Sequence, residues 1–144
     1  MGRVSGRSCI VTGAAQGIGR AIAEALLEEG AHVCFADINR DKIAEVADAN
    51  RKTYGNDRVT HAQVDVTDRT AVGAMIDHTV ARFGKLDVKF NNAGVNRPMN
   101  FMDVTEDNWN FIMGVNGLGC MIGMQEAARQ MIAQGTGGKI INTA

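Results

Sequence analysis

One turn limits what this chain can become more than any other feature. The run Ser8–Thr12 leads directly into Thr12-Gly13-Ala14-Ala15-Gln16-Gly17-Ile18-Gly19, and a helical pattern begins at once. A strand that passes through three glycines straight into a helix has few uses. Gly13 permits a tight turn, Gly17 lets a ligand approach the backbone, and Gly19 lets helix and strand pack closely. The helix start adds free N–H groups and about half a positive charge, which suits a phosphate. The spacing is G-x-x-x-G-x-G, and no Lys-Ser or Lys-Thr follows it, which excludes a P-loop.

The rest of the chain repeats the same alternation. Ile18, Ala21, Ile22, Ala25 and Leu26 follow the spacing of a one-faced helix, and Gly30 sits at its stop. Strands are predicted at 31–36, 59–64, 86–90 and 138–143, with a second helix at 41–52. Thr67 is the expected N-cap of a helix carrying Val72, Met75, Ile76, Val80 and Phe83 and stopped at Gly84. Thr105 is the expected cap of a long helical stretch that runs to about Gln134. Lys89 is an awkward charge for a central strand. The alternation predicts right-handed crossovers and one α/β domain over 1–144, a doubly wound, mostly parallel sheet.

In such sheets ligands bind beyond the carboxyl ends of the strands, where the strand order reverses. The residues just after each strand are therefore the candidates. Asp37 closes the second strand, where an acidic side chain accepts hydrogen bonds from ribose hydroxyls; the alternative is a surface-loop aspartate. Asp65-Val66 follows the third strand, and Asp65 also reads as a plain loop cap. Asn91-Asn92-Ala93-Gly94 follows the fourth.

Composition narrows the partners. Fifteen basic residues against sixteen acidic ones leave a net charge of -1 in 144 residues, so neither nucleic acid nor an anionic membrane is an expected partner. No apolar run approaches the roughly 18 residues of a membrane span. Cys9, Cys34 and Cys120 are odd in number and far apart, which reads as reduced, buried thiols of a cytoplasmic protein. His32, His61 and His78 lack metal-ligand spacing, and no metal is expected.

Taken together, Thr12-Gly13 with Gly17 and Gly19, Asp37, Asp65-Val66, the Asn91-Asn92-Ala93-Gly94 run and Asn116 within Gly114-Val115-Asn116-Gly117 resemble the short-chain dehydrogenase/reductase family along the whole chain. The resemblance implies a Rossmann-type domain that binds NAD and interconverts a secondary alcohol and a ketone. It implies cofactor contacts from Gly13, Gln16, Gly17, Ile18 and Gly19, from Asp37 and Ile38, from Asp65 and Val66, and from Asn92, Ala93, Gly94 and Val115. Asn116 corresponds to a catalytic asparagine that holds a water in a proton relay; from the residues alone it reads as a helix-kink or packing residue. The non-basic Gln16 and the carboxylate of Asp37 imply NAD rather than NADP, with Arg40 near enough to be an exception. Polyols, sugar alcohols and hydroxyketones such as acetoin are the substrates the resemblance leans toward.

The helix with Gly114, Gly117, Gly119 and Gly123 either pairs across a dimer axis, as in the family, or packs on its own sheet. A homo-oligomer, dimer or tetramer, is the corresponding expectation. Met113, Met121, Met124 and Met131 read as core or interface filler. The sequence ends at Ile141-Asn142-Thr143-Ala144, where the family's catalytic serine comes next and its Tyr-x-x-x-Lys lies further on. A C-terminally incomplete domain without turnover of its own is therefore expected. Tyr54, with Arg58 four residues later, precedes the third strand and belongs to the wrong edge of the sheet. The other readings are a nucleotide-binding module without catalysis and a similar fold with a disused site; intact glycines, Asp37 and Asn116 argue against disuse.

Overall fold

The structure is a computed structural model that describes residues 2–144. Five strands form one all-parallel sheet: β1 (Ser8–Thr12), β2 (His32–Asp37), β3 (Val59–Gln63), β4 (Val88–Asn91) and β5 (Lys139–Asn142), in the order β3-β2-β1-β4-β5. Alternation along the strands builds a core on each face. Cys9, Val11, Val33 and Phe35 point to one side, where helices α1 (Gly17–Glu28) and α2 (Arg40–Tyr54) cover them with Ala23, Leu27, Ile43, Val46 and Ala47. Ile10, Cys34 and Ala36 point to the other, beneath Val72, Met75 and Ile76 of α3 (Arg69–Phe83) and Ile122, Ala127 and Met131 of α5 (Cys120–Gln134). Both faces are covered, as a parallel sheet requires.

Several expectations need correcting. The buried face of α1 is Gly19, Ala23 and Leu27, one residue away from the predicted stripe; Ile22 and Leu26 pack only partly, and Ile18 is 69% exposed. The small side chains Gly19 and Ala23 face the sheet at the helix start, where the glycine turn brings it against β1, and the large Leu27 is buried only further along. Asp68, not Thr67, caps α3, accepting from the Thr70 and Ala71 N–H groups, while Thr67 bonds back to Asp65. The long helix after Thr105 is not continuous: α4 (Glu106–Met113) passes into a π-helical segment (Gly114–Gly119) before α5. Lys89, an unlikely residue for a central strand, lies inside β4 and is only 1% exposed. Cys9 and Cys34 are fully buried and Cys120 half-buried. Burial pushes Cys9 up to about 12 and Cys34 up to about 11, so neither offers a thiolate near neutral pH.

The amino edge of the sheet is locked. Asp87 accepts from the Ser8 N–H at 2.9 Å and pairs with Lys85 and Arg7 at 3.0 and 3.2 Å. Burial alone would raise its pKa, but these donors hold it below the usual carboxylate value.

Two glycines of the π segment and α5 pack closely within the chain, Gly119 on the loop after β3 and Gly123 on β4. A Cβ on Gly119 would stand 2.7 Å from Val66 Cγ2, and one on Gly123 would overlap Asn91 Oδ1, whereas Gly114 faces open space. Gly123→Ala should cost about 1–3 kcal/mol, and Gly114→Ala should be neutral or gain up to about 1 kcal/mol. Thermal unfolding of the two variants checks the contrast; equal effects would refute it.

Candidate functional site

Strand order reverses between β1 and β4: β1 leads outward to β2, and β4 leads to β5 on the other side. In an open parallel sheet such a reversal makes a crevice beyond the carboxyl ends, and here Thr12 ties its two sides together. The Thr12 hydroxyl donates to the Phe90 carbonyl at 3.2 Å and accepts from the Asn92 and Ala93 N–H groups at 3.1 and 3.2 Å. The Thr12 carbonyl accepts from Asn92 Nδ2 at 3.1 Å. One side chain thereby ties the exits of β1 and β4 together.

The glycines stand where contact is tightest. Gly13 has φ +69°, and a Cβ on it would come within 3.0 Å of Ala93 Cα. A Cβ on Gly19 would overlap the Gly13 carbonyl and lie 2.5 Å from Asn92 Nδ2. Gly17 is the opposite case, with φ +57° and nothing within 4 Å, so the backbone there is open to approach. Gln16 occupies the N-cap position of α1 without capping it; its Oε1 accepts from Lys42 Nζ at 3.1 Å instead.

Asp37 is fastened to this loop. Its Oδ2 accepts from the Ala15 N–H at 3.2 Å and its Oδ1 from the Asn39 N–H at 2.9 Å. Beside it Ile38 is 64% exposed, so two large apolar side chains, Ile18 and Ile38, stand uncovered near the glycine turn. Asp65 folds back on its own loop, accepting from the Thr67 N–H at 2.9 Å and hydroxyl at 2.7 Å, which is the loop-cap geometry. Val66 leans on Gly119.

Asn116 lies in the π segment, where the helical ladder is already irregular. Its Nδ2 donates to the Val95 carbonyl at 2.9 Å, and its Oδ1 accepts from the Val95 N–H at 2.8 Å. The side chain therefore holds the strand-exit loop; Gly94, one residue before, has Asn116 Oδ1 3.3 Å from where a Cβ would be. Val115 is half-buried in the same segment. The end of β5 joins this edge, since the Thr143 N–H donates to the Asn91 carbonyl at 3.1 Å and its hydroxyl to Asn92 Oδ1 at 3.2 Å.

The exits of all five strands and the π segment thus meet at one edge. Tyr54 and Arg58 are at the other, where Arg58 Nε donates to the Ala31 carbonyl at 3.1 Å and its guanidinium lies 5.7 Å from the Tyr54 ring centre. Among the described residues no cluster of three His, Cys, Asp or Glu side chains forms a metal site. No helix among them is long and apolar enough to cross a membrane. Thr12 and Asn91 stood in the sequence only as members of their motifs; that their side chains tie the strand exits together is seen in the structure.

The family model described as short chain dehydrogenase matches residues 7–144. The chain belongs to the short-chain dehydrogenase/reductase family. It is 38% identical over 142 residues to the sorbitol dehydrogenase of Cereibacter sphaeroides, covering 99% of this chain and 54% of that protein. It is 36% identical over 144 residues to the D-threitol dehydrogenase of Mycolicibacterium smegmatis, again 99% against 54%. To the 3beta-hydroxysteroid dehydrogenase 2 of Eggerthella lenta it is also 36% identical, over 142 residues, covering 98% of this chain and 54% of that one. A short-chain dehydrogenase/reductase from Burkholderia phymatum, solved in complex with NAD, superposes with a TM-score of 0.92 at 31% identity, covering all of this chain and 50% of that one. The chain spans about half the length of the curated relatives it matches.

In this member of the family the Thr12 hub is the feature to perturb. Thr12→Val keeps the shape but leaves the Asn92 and Ala93 N–H groups without their acceptor, which should cost about 1–3 kcal/mol. Urea unfolding checks this; an unchanged midpoint would show that the hub contributes nothing.

Proposed function

We propose that this chain is the NAD-binding part of an oxidoreductase that interconverts a secondary alcohol and a ketone. The observation that carries the reading is the fastening of Asp37 to the glycine turn through the Ala15 N–H, at the edge of the β1/β4 crevice. The residues present fit the cofactor. Gly17 leaves the backbone open for a pyrophosphate at an uncapped helix start, Asp37 offers a carboxylate for the ribose hydroxyls, and Ile18 and Ile38 supply apolar surface for the adenosine. When bound, the cofactor supplies or accepts the hydride. Val66, Ala93, Gly94 and Val115 are assigned to the cofactor's path toward Asn116, a reading supported by the way Asn116 holds the Val95 loop. Asn116 is assigned the catalytic role of keeping a relay water there, and Asp65, which holds its own loop, is assigned to the cofactor contacts.

A polyol, sugar alcohol or hydroxyketone is the proposed substrate class, supported by the names of two relatives. Residues 1–144 are read as one dinucleotide-binding domain. Three free cysteines fit a reducing, cytoplasmic setting. The exposed Trp109, Met113, Leu118 and Met121 along α4, the π segment and α5 support assembly as a homo-oligomer.

Asp37 sets the choice of cofactor, because a 2′-phosphate would stand against its carboxylate. Two unit charges about 4 Å apart repel by about 4 kcal/mol at an effective dielectric of 20, and solvent reduces this. Calorimetric titration of the full-length protein should show NAD binding at least roughly tenfold tighter than NADP, with Asp37→Ser narrowing the gap. Tighter binding of NADP would overturn the assignment. Sorbitol or threitol should reduce NAD faster than a 3β-hydroxysteroid does; turnover of the steroid alone would contradict the substrate class.

A further inference from the structure

Lys89 occupies a position where a parallel sheet covered on both faces expects an apolar side chain. It pairs in register with Ile10 of β1 and Ile140 of β5, and its side chain is buried beneath the helices on that face. No carboxylate pairs with it among the described residues. Its Nζ has two hydrogen-bond partners, Asn91 Oδ1 at 2.7 Å and the Phe90 carbonyl at 3.3 Å. Two acceptors match the two N–H bonds of an uncharged amine, whereas an ammonium would bring a third with nowhere to go.

Each partner leads to the crevice. The Phe90 carbonyl is shared with the Thr12 hydroxyl, the hub that holds the Asn92 and Ala93 N–H groups. Asn91, with its oxygen turned to Lys89, aims Nδ2 at Asn142 Oδ1 at 2.9 Å and so ties β4 to β5. Gly123 leaves the Asn91 amide the room it needs. A donor at residue 89 therefore fixes which way the Asn91 amide points, since only its oxygen can accept.

We propose that Lys89 is a positioning residue whose Nζ donors hold the β4 exit and the end of β5 in register beneath the crevice. Its bearing on cofactor binding rests on the function proposed above; the hydrogen bonds themselves do not. The groups around it leave the amine without a counter-charge. Cys34 of β2 and Cys120 of α5 are the titratable neighbours, β1 and β5 present Ile10 and Ile140, and the buried side chains of α3 are Val72, Met75, Ile76 and Thr79. Burial lowers the Lys89 pKa from 10.5 to about 7, with Cys120 and Cys34 opposing the shift more weakly. Between those two values the unfolded chain binds a proton that the folded chain does not, so stability rises with pH across that window. Below about 7 both states carry the charge, and the folded state then bears the full penalty of an ammonium in its interior.

Two substitutions in the full-length protein separate the roles: Lys89→Gln keeps an N–H donor without titrating, and Lys89→Met keeps neither. The unfolding midpoint of the wild type should rise by roughly 5 °C or more from about pH 6 to about pH 9, relative to Lys89→Gln over the same range. Hydrogen exchange, corrected for intrinsic rates, should show segments 90–93 and 142–143 as protected in the wild type as in Lys89→Gln, and roughly tenfold less protected in Lys89→Met. The proposal is overturned if wild type and Lys89→Gln share one pH profile of the unfolding midpoint, or if Lys89→Met is as protected as the wild type. Should Lys89→Met fail to fold, the comparison with Lys89→Gln decides alone. No arm uses NAD, so a failure here is distinct from a failure of the cofactor assignment.

Discussion

The structure depends on how closely the start of α1 approaches the exits of β1 and β4. At Gly19 there is no room for even one carbon between the helix, the Gly13 carbonyl and the Asn92 side chain. At Gly13 the backbone of Ala93 presses from the other side. That approach sets where the helix start points, and the helix start sets where its free N–H groups are offered. It also explains why the small residues Gly19 and Ala23 face the sheet while Ile18 is left outside.

The two edges of the sheet are built for opposite ends. At the amino edge a buried carboxylate, Asp87, gathers a backbone N–H and two cations, and Arg58 closes the β2–β3 side against backbone carbonyls. Charges there are satisfied within the chain. At the carboxyl edge neutral groups, Thr12, Asn91, Asn92, Asn116 and Thr143, tie the strand exits together, while the carboxylates of Asp37 and Asp65 accept from loop N–H and hydroxyl groups and pair with no cation among the described residues. They order the loops yet leave Gly17 open and the helix uncapped. Rigidity below and open donors above are what a preformed ligand site needs.

Much of this was legible from residues alone, because strands buried on both faces read as apolar runs and glycines punctuate each connection. β1 matches its expected bounds, the other strands are shifted by a residue or two, and the sheet is parallel throughout, as the alternation implied. What was not legible depends on partners distant in sequence. The buried face of α1 follows from a close approach, not from counting apolar residues. Asp68 outcompetes Thr67 as a cap because Asp65 has already engaged Thr67. Thr12 gives no periodic signal, since its work is done by bonds to residues some eighty positions later. The partner of Asn116 was not legible either: its side chain, in an irregular helix, clamps Val95 some twenty positions earlier.

The central claim is that the crevice between β1 and β4 holds the dinucleotide. Hydrogen exchange of the full-length protein with and without saturating NAD tests it most directly, because it reports where the ligand lies rather than whether it binds. The account predicts slower exchange on adding NAD at residues 13–19, 37–39 and 92–95, with none gained around Tyr54 and Arg58. Protection confined to the amino edge, or absent from the glycine turn while NAD is bound, would contradict it.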